Sequence, residues 1–408
     1  MTTEATENLG NQTTFNSVTT TQATNKDNHQ HIQKPILVMH IIDKLSVSGS
    51  GIHGVTRAIE RWLPRFDPQH FQFCICSLRS PEEIGKIFEE KGIPIFFLDK
   101  GKFDPTTLTS LLTLIKQEEP DILHLHGYGA TNFGRLASKL TGVPNIVHEH
   151  VVVQNQPFYQ TVADTILSSL TTKAIAISPP VREFMVNQRK IRPEILETFF
   201  YGIPLAEFQL PNQSEVDRER ESLGIAADEQ VVFYVGRLDE QKGLIYLLKA
   251  AILILKELPK TRFLIVGDGP DMPMLKSFSE KEKISDRLIF TGFRENIPVL
   301  LGLADVVAIP SLHEGGPITL FEAMNLHKPV VGTPVGLMGE AILEGETGHI
   351  VPCKNVDMLA KRLIHILLNP QLAHSMGEKA WEVCQNYDIS NSVQRLGEIY
   401  QDLEDLVN

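Results

Sequence analysis

Glu314 and Glu322 are separated by seven residues in "SLHEGGPITLFEAMNLHKPVVGTPVGLMGE" (311–340), and what lies between them decides what such a pair can do. Gly315-Gly316-Pro317 leads into a stretch, Pro317 to Met324, that reads as a helix, because proline suits the first helical turn. Glu314 then falls in the entry loop and Glu322 about two turns along, with free backbone N–H groups between them that favour an anion. Upstream, "GRLDEQKG" (236–243) sets Arg237 and Lys242 between a strand end and a helix start. A forked guanidinium and a point-charge ammonium in that place neutralise a diphosphate. "LIVGDGP" (264–270) is another strand end, with two glycines that permit close backbone approach. Each feature alone fits a solvated surface equally well; their combination points to phosphate binding.

The first half offers "GSGIHG", Gly49 to Gly54, a literal G-x-G-x-x-G after the apolar run Ile36 to Ile42. A dinucleotide fingerprint needs its first glycine directly after the strand and a carboxylate about 20 residues on. Here Asp43 to Ser48 intervene, and the next strand ends in Ser77-Leu78-Arg79. Arg79 keeps an NADP reading alive as an outlier, beside a ligand-free loop and a loop facing an anion or a hydroxyl-rich ligand. Histidines end two further strands, at His126 and at His148 and His150. Two histidines two apart on a strand share a face and suit zinc, but no third ligand stands at a suitable spacing. For any one of them a structural role is at least as common.

The elements that must hold these residues alternate regularly. Strands are expected at 35–42, 71–78, 93–98, 121–126, 145–150 and 173–178, with helices between them at 55–63 and 106–116. After a polar stretch (210–224) a second series follows at 230–236, 262–267, 287–292, 306–310, 329–333 and 348–352. This α/β alternation implies two doubly wound halves joined near 205–220, each binding ligands at the carboxyl ends of its strands. A length of 408 residues allows two cores. The net charge of −12 argues against a nucleic-acid partner.

Four cysteines, with Cys74 and Cys76 expected on opposite strand faces, suit a reducing cytoplasm. Residues 1–33 read as a disordered polar tail and not a signal peptide. No apolar run reaches the roughly 18 residues of a membrane span, which leaves peripheral contact at the inner membrane face. Arg189-Lys190-Ile191-Arg192 is the basic cluster that would serve it, unless it is a solvated loop.

From Ile36 onward the chain resembles the retaining glycosyltransferases of the family 4 type, with the GT-B fold. The resemblance rests on Gly236-Arg237-Leu238, Lys242-Gly243, Gly267-Asp268-Gly269-Pro270, Glu314, Glu322-Ala323-Met324, Lys328-Pro329-Val330-Val331, and Gly336 followed by Glu340, in the family's order. It implies two Rossmann-like domains facing a central cleft, 34–208 on the acceptor side and 209–386 binding the nucleotide sugar. A last helix (387–408), whose apolar spacing begins at Ile389, would cross back to the first domain. It also implies roles. Arg237 and Lys242 hold the diphosphate and stabilise the leaving nucleotide; Glu322 takes the ribose hydroxyls; Glu314, with Gly315 and Gly316, meets the transferred sugar and β-phosphate. Gly236, Gly269, Gly292 and Phe293 line the donor site, with the base near Thr291 to Arg294. Ser50, Gly51 and His53 of the glycine loop, with His126 and His150, stand on the acceptor side, Gly51 also approaching the donor. His150 would lie beside the transferred sugar.

Where the family often has Asn-Gly before the interdomain linker, this chain has Tyr201-Gly202, which puts the asparagine's contacts in doubt. The implied activity is transfer from a nucleoside-diphosphate sugar, UDP favoured, to a hydroxyl acceptor of unidentified kind, without cofactor or metal. A sugar-nucleotide epimerase and a non-catalytic sugar-nucleotide-binding protein are the competing readings.

Overall fold

Short, almost continuously apolar strands such as Val231–Val235 (VVFYV) can be buried on both faces, and in the fold they are. The computed structural model describes residues 34–46, 54–153, 157–314 and 316–406. The first sheet contains β1 (Ile36–Ile42), β2 (Phe71–Ser77), β3 (Ile95–Phe97), β4 (Ile122–His126), β5 (Asn145–Glu149), β6 (Lys173–Ala176) and β7 (Leu196–Thr198), in the order β3-β2-β1-β4-β5-β6-β7. The second contains β8 (Val231–Val235), β9 (Arg262–Val266), β10 (Leu288–Gly292), β11 (Val306–Ile309), β12 (Val330–Gly332) and β13 (Gly348–Ile350), in the order β10-β9-β8-β11-β12-β13. The named strands pair in parallel in both sheets. Strand order reverses between β1 and β4 and between β8 and β11, where a doubly wound sheet opens its crevice.

Each sheet carries a buried apolar cluster on both faces. On one face of the first sheet, that cluster takes in the end of the chain. The helix Ile389–Asp405 begins at Asp388, whose carboxylate caps Ser390 N at 2.9 Å, and buries Ile389, Val393, Leu396, Ile399, Tyr400 and Leu403. Those residues lie along one helical stripe, and they pack with Val38, Ile59 and Trp62 of the first domain. The crossing back is therefore a covalent and apolar tie between the halves.

Two expectations change. β7 was not foreseen: Leu-Glu-Thr is too short and too polar to announce a strand, and pairing with β6 makes it one. Cys74 and Cys76 belong to the same buried cluster, as residues two apart on a strand must, and both are free thiols. The polar stretch 210–224 holds the helix Gln213–Ser222, which buries Val216 in the second core, so it belongs to that domain.

The basic cluster is not a surface patch either. Arg189 is buried, pairing with Asp164 at 2.8 Å and Glu149 at 3.1 Å, while the wholly buried Arg135 meets the other Asp164 oxygen at 3.3 Å. Ile191 is buried with it, leaving Lys190 and Arg192 at the surface.

Candidate functional site

The chain from Pro35 to Asn408 forms one compact unit, so the walls of the cleft can be described together. On the second-domain side the site is built by two loops pressed backbone to backbone. Gly243 has φ +65°, and a Cβ there would lie 2.2 Å from the Pro310 carbonyl oxygen. That contact admits only glycine, and it locks the loop after β8 against the loop after β11. Leu312 N donates to Gln241 O at 2.8 Å, and Gln241 Nε2 donates to His313 O at 2.9 Å.

The result is that Lys242 Nζ meets Glu314 Oε1 at 2.6 Å, with Ser311 Oγ donating to the same oxygen at 2.9 Å. Asp239 organises the approach: one carboxylate oxygen accepts Lys242 N at 3.2 Å and the other accepts Arg237 Nε at 2.5 Å. Arg237 remains 63% exposed, so its guanidinium can turn to an incoming anion with little desolvation.

Glu322 sits in the helix Ile318–Asn325, half-buried. Burial pushes its carboxyl up to about 7, against the opposing pull of Arg61 from the first domain. Gly316, just before that helix, would place a Cβ 2.4 Å from the ring of Phe200. Gly292 has φ +71° with open space at its Cα, and Phe293 beside it is 76% exposed, an available flat surface for a base. Gly236 N is tied to Val266 O at 3.0 Å. Gly269 proves to be needed for packing: its Cβ would lie 2.3 Å from Leu238 O. Between the walls is a cavity of about 540 Å³, lined by Val151, Val152 and Pro180 on one side and Gln241, Glu314 and Val335 on the other.

The first-domain wall is unlike this. His40 (β1), His124 and His126 (β4), His148 (β5) and His150 just beyond it are all buried. Strand register explains the assembly: His40 pairs with His124 across β1/β4, and His126 with His148 across β4/β5. His126 Nδ1 lies 3.0 Å from His150 Nε2, and His150 Nδ1 lies 2.6 Å from the Tyr201 hydroxyl. Both ring nitrogens of His150 therefore face protein partners. Desolvation lowers His40 to about 3 and holds His124, His126 and His148 well below the usual imidazole range.

The pair His148 and His150 does have a third ligand beside it, brought there by the sheet. His40, His124 and His126 form one group of potential ligands, and His126, His148 and His150 another, each with ligand atoms within 4.8 Å of one another. His40 and His124 were missed because sheet pairing, and not spacing along the chain, brings them in.

Tyr201, in the position of the family's asparagine, links the two walls. Phe200 turns into the second domain's core beside Phe321, whereas Tyr201 turns to His150 and accepts a hydrogen bond from Trp62 Nε1 through its carbonyl at 2.7 Å. Gly202, with φ +70°, would place a Cβ 2.4 Å from Ile389 Cα, and Ile203 bridges to Asp388. The two crossings between the domains thus run side by side. Arg79, the anchor an NADP phosphate would need, donates instead to Lys100 O at 3.0 Å. Ser50, Gly51, His53 and Gly315 lie outside the described residues.

Two family models match the chain: glycosyltransferase family 4 over residues 52–207 and glycosyl transferases group 1 over 215–383. It is 26% identical over 313 residues to the UDP-Gal:alpha-D-GlcNAc-diphosphoundecaprenol alpha-1,3-galactosyltransferase of Escherichia coli, covering 74% of this chain and 80% of that protein. It is 28% identical over 298 residues to the alpha-D-kanosaminyltransferase of Streptomyces kanamyceticus, covering 69% and 76%. Among solved structures, Anabaena HepE in complex with UDP superposes with a TM-score of 0.79 at 19% identity, covering 90% of this chain and 100% of that one. A Rickettsia africae glycosyltransferase gives 0.80 at 19% identity, covering 90% and 98%.

Proposed function

From the premise that this chain belongs to the family 4 type of glycosyltransferases, with the GT-B fold, we propose that it transfers a sugar from UDP to an acceptor hydroxyl with retention at the anomeric carbon. The observation that carries this reading is the Lys242–Glu314 pair at 2.6 Å on the cleft wall, with the exposed Arg237 beside it. As the glycosidic bond breaks, negative charge grows on the diphosphate oxygens. Preplaced cations stabilise that charge more than they stabilise the ground state.

Lys242 exchanges part of its contact with Glu314 for phosphate, and Arg237 turns from Asp239 to the second phosphate. These two cations do the work that a metal does elsewhere. Glu314, released from Lys242, accepts from a hydroxyl of the transferred sugar, and Glu322 accepts from the ribose once ionised. The acceptor hydroxyl attacks from the face the nucleotide leaves, and its proton passes to the departing phosphate. No enzyme nucleophile is assigned: Glu314 and Glu322 share one loop and helix and do not flank a bond.

UDP as the carrier is supported by the UDP-Gal named for the Escherichia coli relative and by the UDP bound to HepE. The diphosphoundecaprenol-linked substrate in the Escherichia coli relative's name also suggests the acceptor. The helix Phe158–Leu167 leaves Phe158 82%, Tyr159 47%, Val162 40% and Ile166 65% exposed, with Phe103 edge-on to Tyr159, an apolar face fit for a membrane surface that presents a lipid-linked glycan. No helix among the described residues is long and apolar enough to cross a membrane.

The test is to incubate the protein with UDP-sugars and with GDP-mannose, adding a membrane-lipid extract, and to follow the anomeric proton by NMR. An axial donor giving an axial product from a UDP-sugar supports the reading. Transfer from GDP-mannose alone, or an inverted product, contradicts it.

A further inference from the structure

The buried histidines are wired in two files with the same polarity. In the first, the Tyr201 hydroxyl meets His150 Nδ1 at 2.6 Å, His150 Nε2 meets His126 Nδ1 at 3.0 Å, and His126 Nε2 meets His40 Nδ1 at 3.0 Å. In the second, the Tyr400 hydroxyl meets His124 Nδ1 at 2.8 Å and His124 Nε2 meets His148 Nδ1 at 3.1 Å. Each file starts at a tyrosine and runs Nε2 to Nδ1. Each ends on a buried Nε2, of His40 or His148, that has no hydrogen-bond partner among the described residues.

A neutral imidazole carries one donor and one acceptor, so each file can be ordered in only two ways. If the tyrosine donates, every histidine is protonated on Nε2 and the sole unmet group is the terminal N–H. If the file is reversed, the terminal nitrogen has an unmet lone pair and the tyrosine's own proton also loses its acceptor, since neither hydroxyl has another partner among the described residues. Leaving buried polar groups unmet is unfavourable, so the order with fewer of them prevails.

The ring planes agree with hydrogen bonding. Linked rings lie 8° apart for His40–His126, 20° for His126–His150 and 12° for His124–His148, with centroids 5.2 Å apart in each pair, a spacing that suits end-to-end N–H···N contacts.

We infer that Tyr201 and Tyr400 are positioning residues that fix all five histidines as neutral Nε2–H tautomers, Tyr201 ordering His150, His126 and His40, and Tyr400 ordering His124 and His148. His150 then holds its place in the cleft wall without offering a ring nitrogen as acid or base. Only this last consequence rests on the reading that His150 stands beside the donor sugar. Tyr201 sits in the crossing between the domains, so the file also ties the orientation of His150 to that crossing.

The experiment is a long-range proton–nitrogen NMR spectrum of the full chain labelled with 15N-histidine, on wild type, Tyr201→Phe and Tyr400→Phe. The five buried rings are assigned by single histidine substitutions. All five should show a protonated Nε2 and an unprotonated Nδ1. Tyr201→Phe should shift His150, His126 and His40 and leave His124 and His148 in place; Tyr400→Phe should do the reverse. A protonated Nδ1 on any of the five overturns the inference, as does a Tyr201→Phe spectrum in which neither His126 nor His40 moves. Stoichiometric zinc with metal-type nitrogen shifts also overturns it. If either variant does not fold, the wild-type spectrum still decides the tautomers. Adding UDP separates the two readings: unchanged spectra with UDP count against the proposed donor and leave the tautomer result standing.

Discussion

The two walls of the cleft use opposite chemistry. The second domain lines it with paired charges whose cations stay partly exposed: Lys242 with Glu314, Arg237 with Asp239. The first meets it with Val151, Val152 and Pro180, buries its histidine rings in the sheet behind them, and keeps its charges, Arg135, Arg189, Asp164 and Glu149, locked together. Exposed pairs contribute little to stability and are easily exchanged for a ligand's charges, whereas a buried network is costly to break. One wall can therefore trade partners with an anion, as the proposed donor's phosphates require, and the other is held still.

The sharpest way to break the contrast is in stability. Arg189→Met removes the cation shared by Asp164 and Glu149 and should destabilise the fold by about 3–5 kcal/mol in urea unfolding. A loss under about 1 kcal/mol would mean that the first wall is as exchangeable as the second. Lys242→Ala should do the converse, lowering sugar transfer by about 10²–10³-fold, equivalent to roughly 2.7–4 kcal/mol in the transition state. Its melting temperature should stay near wild type; a large drop would make Lys242 a structural residue.

Acid sharpens the comparison further. His40, His124, His126 and His148 stay neutral in the fold, so below the unfolded-state value of about 6.5 only the unfolded chain takes up their protons. Their contribution is intact above that pH and is lost as pH falls, by about 1.4 kcal/mol per pH unit for each histidine. Urea midpoints between pH 7 and 5 should fall steeply, and less so in a His124→Asn variant; a flat profile would show that the rings already carry charge.

Glu322 depends on pH with the opposite sign. Its carboxyl is raised to about 7, so the folded state holds that proton more tightly, and stability is lost as pH rises from the unfolded value near 4.5 through 7. Glu322→Gln should therefore melt higher than wild type at pH 8 and alike at pH 4.5, while binding UDP more weakly. Equal melting at pH 8 would contradict the burial of that charge.

What could be read in the sequence follows the same division. Arg237, Lys242, Glu314 and Glu322 stand on loops and one helix, where glycines, prolines and charges fall at short, legible spacings. Gly243 against Pro310 O shows why those glycines are needed. The histidine files were invisible because β1, β4 and β5 are distant in the chain, and register alone joins His40 to His124. Arg189 misled for a related reason: four neighbouring letters look like a patch, but the ring of carboxylates that buries Arg189 comes from Glu149 and Asp164. Tyr201 was noticed only as a missing asparagine, since nothing local says that its hydroxyl ends a relay. β7 escaped because three residues carry no period.

The central claim, that the second wall holds a nucleoside diphosphate, is tested most directly by calorimetric titration of UDP into wild type, Arg237→Ala and Lys242→Ala. One site is expected in wild type, with affinity weaker by about 10- to 100-fold in each variant, the loss of a charge-assisted contact. UDP binding of equal strength in all three proteins would contradict it.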